Sequence, residues 1–259
     1  MTAPLVTQLL KRVDALNSLN STGVRVFDNG CGMGVVTNLL KTIVPDVHIT
    51  ATDAASGMID TVKSRIKTRK HVEAAVVDSR NLADMPDNVL HTLSTFMICL
   101  APEPDRIAQE MYPVTAPAGI LGLAVWADPW FSYPSDPWTK ACKQLGPRYE
   151  RPTLMDDSWT DAEQVKSGLR KVGFTDIVLT TERGAWEWNN SDALLKYLFD
   201  GGNPGFQPLV DNWKALGRSV DEVRPLCRKM VENQYGQPDG TIKDYVPAYL
   251  VTARKPDGH

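Results

Sequence analysis

Between Val26 and Gly34 the chain reads VFDNGCGMG, an apolar run ending on an acid, Asp28, and followed by glycines at alternate positions, Gly30, Gly32 and Gly34. Glycine lacks a Cβ and enters backbone conformations closed to other residues, so this density of glycine marks a tight turn whose main chain a ligand can approach. The flanks agree with a strand-to-helix turn: VRVFD (24–28) reads as a strand, and VVTNLLKTIV (35–44) has apolar residues at helical spacing. Neither common phosphate-binding loop fits. A nicotinamide fingerprint would need glycine where Val35 stands, and GCGMGVV lacks the GK[ST] ending of a P-loop. An acid ahead of the glycines also suits a ligand with a positively charged amino group better than a pyrophosphate.

The alternation continues along the first half. VHITATD (47–53) is a strand, SGMIDTVKSRIKTR (56–69) a helix, and VEAAVV (72–77) and HTLSTFM (91–97) are strands. A helix follows around 104–112, then the apolar run AGILGLAVW (118–126). Strands joined by crossover helices predict an α/β fold with a mainly parallel sheet, and such sheets bind ligands at the carboxyl ends of their strands. Beyond Trp126 prolines and aromatics crowd 127–170, a strand TDIVLTTE (175–182) follows, and Ser191 to Tyr235 looks helical before a last strand, YVPAYLVTAR (245–254). With no low-complexity linker or repeat, 1–259 is expected to be one domain with insertions at about 127–170 and 190–240.

Charge and cysteine usage narrow the partners. Lys plus Arg total 28 against 31 Asp plus Glu, a formal net charge of -3, which marks no nucleic-acid or membrane surface. The opening MTAPLVTQLLKRVDALN carries charges among its apolar residues, unlike a secretory core or a membrane span, so a cytoplasmic enzyme is expected. Cys31, Cys99, Cys142 and Cys227 lie far apart with no zinc spacing, which points to reduced thiols and no metal.

The glycine loop resembles motif I of the class I S-adenosylmethionine-dependent methyltransferases, D/E-x-G-x-G-x-G, at Asp28, Gly30, Gly32 and Gly34. The likeness runs on through TDAASGM, VVDSRNLADMPDN, TFMICLAPEPD and APAGILGLAVW, in order, over residues 24 to 126. It implies a Rossmann-like, seven-stranded, mainly parallel sheet with helices on both faces and a helical substrate cap. It also implies that Asp53 accepts from the ribose hydroxyls, that Met58 packs near the adenine, and that Asp78 and Ser79 hold the adenine amino group and ring nitrogen. The implied cofactor site is completed by Asp28, Asn29, Gly30, Cys31, Gly32, Ala54 and Phe96, with S-adenosylhomocysteine as the product. An acid in the place of Asp53 also suits the cap of the following helix, and one in the place of Asp78 a turn.

Within that superfamily the chain looks most like the small-molecule group related to ubiquinone/menaquinone methyltransferases, and like fungal tailoring enzymes that methylate gliotoxin-type dithiols. The resemblance rests on DNGCGMG, HTLSTF, the tryptophans after the fifth strand, and GLRKVGFTDI. One departure is that only 23 residues precede the strand at Val24, where relatives carry a longer helical lid. Met97, Trp126, Trp130, Tyr133, Trp138 and Trp186 are expected to wall an apolar acceptor pocket. His48, His71 and His91 fall at or near strand starts, away from such a site, and Cys99 and Asp128 lack a second residue that would make either a base. The catalytic residues are therefore unassigned. The expected reaction is methyl transfer to an O, S or N nucleophile of a small, largely apolar molecule, a secondary metabolite; the alternative is a cyclisation or elimination that retains the cofactor as a scaffold.

Overall fold

Charges among the leucines of the opening segment turn out to face one side of a helix, α1 (Thr2–Leu16), which buries Leu5, Val6, Leu9, Leu10 and Val13. These positions recur every three or four residues, so one stripe is apolar. The stripe packs on the sheet and on the helix after the glycine loop. The opening segment thus belongs to the core of the fold. The computed structural model describes residues 2–66, 70–85, 87, 89–127, 132–152, 157–200 and 206–258.

Seven strands form one sheet in the order β3-β2-β1-β4-β5-β7-β6. They are β1 (Arg25–Asn29), β2 (His48–Asp53), β3 (Val72–Val76), β4 (Val89–Thr95), β5 (Thr115–Trp126), β6 (Thr175–Trp188) and β7 (Ile242–Arg254). β1 pairs in parallel with β2 and β4, β2 with β3, and β4 with β5, while β7 runs antiparallel to β5. The strand order reverses between β1 and β4, so the crevice at their carboxyl ends is where an open parallel sheet takes its ligand.

Parallel strands covered by helices carry long apolar runs, and β5 is buried from Ile120 to Trp126. It starts three residues earlier than its sequence suggests, because Pro117 and Ala118 (φ 57°) lie in a bulge opposite β4, where a missing N–H breaks no ladder. His91 in β4 is enclosed, and burial pushes its imidazole down to about 4, so it sits in the core as a neutral group. Helix α2 (Val35–Ile43) follows the glycine loop, α3 (Ser56–Arg65) packs on β2 and β3, and α4 (Pro104–Val114) on β4 and β5.

The chain divides into two compact units. The sheet unit comprises Thr2–Ala127, Asp157–Glu182 and Ala248–His259. It includes α6 (Ala162–Val172), capped by the Asp161 carboxylate and packed against α4, so the first insertion ends before this helix. The second unit holds Asp128–Asp156 and Arg183–Pro247. Its helices are α5 (Ser132–Leu145), α7 (Ser191–Phe199), α8 (Gln207–Ala215) and α9 (Val220–Tyr235). Ser219 and Glu222 close a capping box at the start of α9, and Trp138, Tyr149 and Trp213 fill this unit's own core.

Candidate functional site

The loop after β1 keeps all three glycines at positive φ: 72° at Gly30, 51° at Gly32 and 81° at Gly34. A Cβ on Gly30 would overlap the side chain of Met97, whereas a Cβ on Gly32 would meet nothing within 4 Å. Gly30 therefore lets two segments of the site approach closely, and Gly32 opens onto free space. The loop's amides do not wait for a ligand, as its glycine content had suggested. Gly30 and Cys31 both donate to the Thr52 carbonyl at 2.8 Å, Gly34 donates to Cys31, and Gly32 donates to Asp53 Oδ2 at 2.9 Å. Turn geometry explains this: a chain reversing beside the end of β2 meets that strand's unpaired acceptors first.

Asp53 thus holds the loop and, through Oδ1, the Ala55 amide at 2.9 Å. Each carboxylate oxygen has a second lone-pair site, so this does not use up its accepting capacity. Beside it, a cavity of about 340 Å³ opens at the carboxyl ends of β1, β2 and β4. Gly30, Cys31, Gly32, Met33, Val35 and Asp53 line one part, and Thr95, Phe96, Met97, Leu100 and Ala101 another, together with Thr2 of α1. Thr2, Met33 and Leu100 were missed from sequence. The apolar stripe of α1 was the available signal for Thr2, while Met33 and Leu100 lie on turns without any periodicity.

Asp28 and Asn29 lie fully buried under the loop. Thr37 Oγ1 donates to Asp28 Oδ2 at 2.6 Å, and Ser79 Oγ donates to Asn29 Oδ1 at 2.7 Å. Asp28 Oδ1 and Asn29 Nδ2 have no hydrogen-bond partner among the described residues. Burial raises the Asp28 carboxyl to about 6, against the bonds from Thr37, with Asp53 adding a smaller upward push. A folded-state value above the ordinary one means that the native protein holds the proton more tightly, so stability falls as pH rises from about 4 through about 6. Asp28→Asn keeps the shape and drops the charge. It is expected to melt roughly 5 °C above the parent at neutral pH, with the gap closing towards pH 4. A variant that melts lower at neutral pH would contradict this.

The remaining residues are spread more widely. Ala54 is exposed and Met58, in the first turn of α3, is half-buried; neither lines the cavity. Asp78 is exposed and bound by Arg80, whose Nε and Nη2 donate to it at 3.1 and 2.7 Å, and this holds its carboxyl down to about 2. Arg80 also reaches Glu103 at 2.8 Å. The arginine two residues after Asp78 was the sequence signal for this fork, and it was not read. Cys31 is a buried thiol pushed up by burial, then by Asp28 and Asp53, and Cys99 is pushed up to about 11 by burial.

Phe96 has a left-handed backbone, φ 57°, and its ring lies 4.2 Å from that of Trp126. Strain of this kind persists where packing over-determines it. Trp130 lies outside the described residues, as does the side chain of Tyr133 in α5. Trp138 is fully buried in the second unit, where its Nε1 donates to Tyr149 and its ring lies 4.3 Å from Phe199. Trp186 is also buried there, on β6. His48 and His71 lie at the amino ends of their strands, as expected from sequence.

This site fits S-adenosylmethionine. Gly32 leaves room over the loop, Asp53 offers acceptors for ribose hydroxyls, Asp28 and Asn29 keep orphaned polar atoms beneath, and Phe96, Met97 and Leu100 give an apolar wall.

A family profile described as Methyltransferase domain matches residues 26–119, the stretch carrying the loop, Asp53 and Phe96. Over 268 aligned positions the chain is 23% identical to methyltransferase ktnA of Aspergillus niger, covering 89% of this chain and 84% of that one. Among solved structures it is similar to the YcgJ protein of Bacillus subtilis, with a TM-score of 0.61, 16% identity and 98% of both chains covered. It also resembles a Haemonchus contortus phosphoethanolamine N-methyltransferase in complex with phosphomonomethylethanolamine and S-adenosylhomocysteine. There the TM-score is 0.56 and the identity 16%, covering 97% of this chain and 53% of the other. Among the described residues no helix is long and apolar enough to cross a membrane.

Proposed function

We propose an acceptor class for this chain, which is an S-adenosylmethionine-dependent methyltransferase of the class I fold: a small, largely apolar molecule, a secondary metabolite, methylated on an O, S or N nucleophile. The observation that carries this reading is the cavity lining, where among the described residues Asp53 is the one charged group and Met33, Phe96, Met97 and Leu100 supply apolar surface. When bound, the cofactor supplies a methyl group already activated on a sulfonium centre. The protein's share is to fix geometry and exclude water. Asp53 anchors the cofactor end, and Phe96, braced on Trp126, shapes the wall against which an apolar acceptor is held.

Among the described residues the lining offers no imidazole, and the nearby thiols of Cys31 and Cys99 are held protonated by burial. An acceptor that ionises by itself near neutral pH needs no base from the protein. This favours a thiol over an aliphatic alcohol and makes an acidic phenol the next choice. The test supplies dithiol, phenol and amine metabolites with methyl-labelled S-adenosylmethionine and follows both products. Label on sulfur, with stoichiometric S-adenosylhomocysteine, is the expected result. Consumption of an acceptor while the labelled cofactor stays intact would replace methyl transfer with a cyclisation or elimination.

A further inference from the structure

At the amino ends of β1, β2 and β3, the opposite end of the sheet from the glycine loop, lies a second cavity of about 360 Å³. Arg25, His48, Thr50, His71 and Glu73 line it. His48 opens β2 and His71 directly precedes β3, and their rings sit 4.0 Å apart between centroids, tilted by 38°. His71 has a left-handed backbone, φ 61°, and its carbonyl accepts from the Ile49 amide at 2.8 Å. Adjacent parallel strands therefore fix both imidazoles at one mouth.

Their surroundings are mainly cationic. Desolvation, then His48, Lys70 and Lys41, hold the His71 imidazole below its ordinary range, with Asp46 acting the other way. Arg25 comes from β1, Lys41 from α2, and Lys70 from the residue before His71. Lys41 donates to the Pro45 and Val47 carbonyls, and Lys70 lies 3.7 Å from Asp46, both side chains being exposed. Among the described residues the opposing charges are Asp46 and Glu73. Two facing imidazoles among three cations repel one another when protonated. An anion accepting from them would reverse that repulsion, and the guanidinium and both rings can donate together to a tetrahedral oxyanion. Among the described residues no group of three or more His, Cys, Asp or Glu is placed to hold a metal ion.

We propose that this cavity binds a tetrahedral oxyanion of the phosphate and sulfate class, free or as the head of a monoester, through Arg25, His48 and His71. It shares no residue with the cofactor site. Binding strengthens as pH falls, because an anion accepting from the rings favours their protonated form.

Sulfate is the first probe, since its own charge is constant over that range. In an NMR titration of the full chain, the ring signals of His48 and His71 are expected to move together and saturate. The affinity should rise about tenfold or more from pH 8 to pH 5.5. Arg25→Gln is expected to weaken sulfate by about tenfold, as is His71→Asn, chosen because asparagine tolerates the left-handed backbone. Glu73→Gln should act in the opposite sense and tighten binding several-fold, which a merely structural role would not do. Inorganic phosphate and glycerol phosphate at one pH distinguish the sources. Equal affinity identifies the free ion, and a gain for the ester identifies a monoester head. Ring signals that fail to saturate, or an affinity unmoved by both Arg25→Gln and Glu73→Gln, would overturn the proposal.

Discussion

Asp53→Ala is expected to weaken S-adenosylmethionine binding by about 2 to 4 kcal/mol, on the order of 30- to 1000-fold in Kd. Two losses combine. The ribose hydroxyls lose a charged acceptor, and the loop loses the bond from the Gly32 amide that fixes its turn. Asp53→Asn separates them, because the side-chain oxygen can still accept from Ala55 or Gly32 while the second oxygen and the charge are gone. Calorimetry should therefore order the affinities as parent, asparagine, alanine. Thermal melting of the free proteins should differ far less, since the carboxylate is partly exposed. Unchanged affinity in Asp53→Ala would remove the ribose assignment, whatever the loop does.

The second large effect concerns stability. Trp138→Ala should lower stability by about 3 to 5 kcal/mol and the melting temperature by roughly 10 °C, the cost of emptying a fully buried indole site. Trp138 is inaccessible to solvent, bonded to Tyr149 and stacked near Phe199, all within the second unit. Trp138→Phe keeps an aromatic ring against Phe199 but removes the N–H donor and part of the indole's buried volume, at a cost of about 2 kcal/mol. Tryptophan was expected from sequence to wall the acceptor pocket. A melting temperature near the parent's, together with a raised KM for the acceptor, would restore that reading.

Local chemistry explains which features could be read from sequence. The glycine loop, Asp28 and Asp53 were legible because strand, tight turn and helix follow one another within a few residues, each with its own signature. The sheet was legible because alternating runs of period 2 and period 3.6 leave few topologies open. Trp138 and Asp78 were not. An aromatic count does not say which core a ring enters, and Trp138 goes into that of the helical unit. Asp78 is forked by an arginine two residues on, a local signal that was passed over, and that arginine's further reach to Glu103 exists only once the loops after β3 and β4 are brought together. The buried state of Asp28 could not be read either, because its cost comes from the whole enclosure and not from neighbours in sequence. Helix α1 was legible in its apolar spacing, although its charges drew attention to what the segment excluded.

The glycine-loop cavity is expected to hold the cofactor with Asp53 on the ribose. A crystal structure of the chain with S-adenosylhomocysteine tests it most directly. Both ribose hydroxyls are expected within hydrogen-bond distance of the Asp53 carboxylate, with the sulfur facing the apolar wall of Phe96 and Met97. A bound molecule lying elsewhere, or one in this cavity with Asp53 still bonded only to the Gly32 and Ala55 amides, would contradict it.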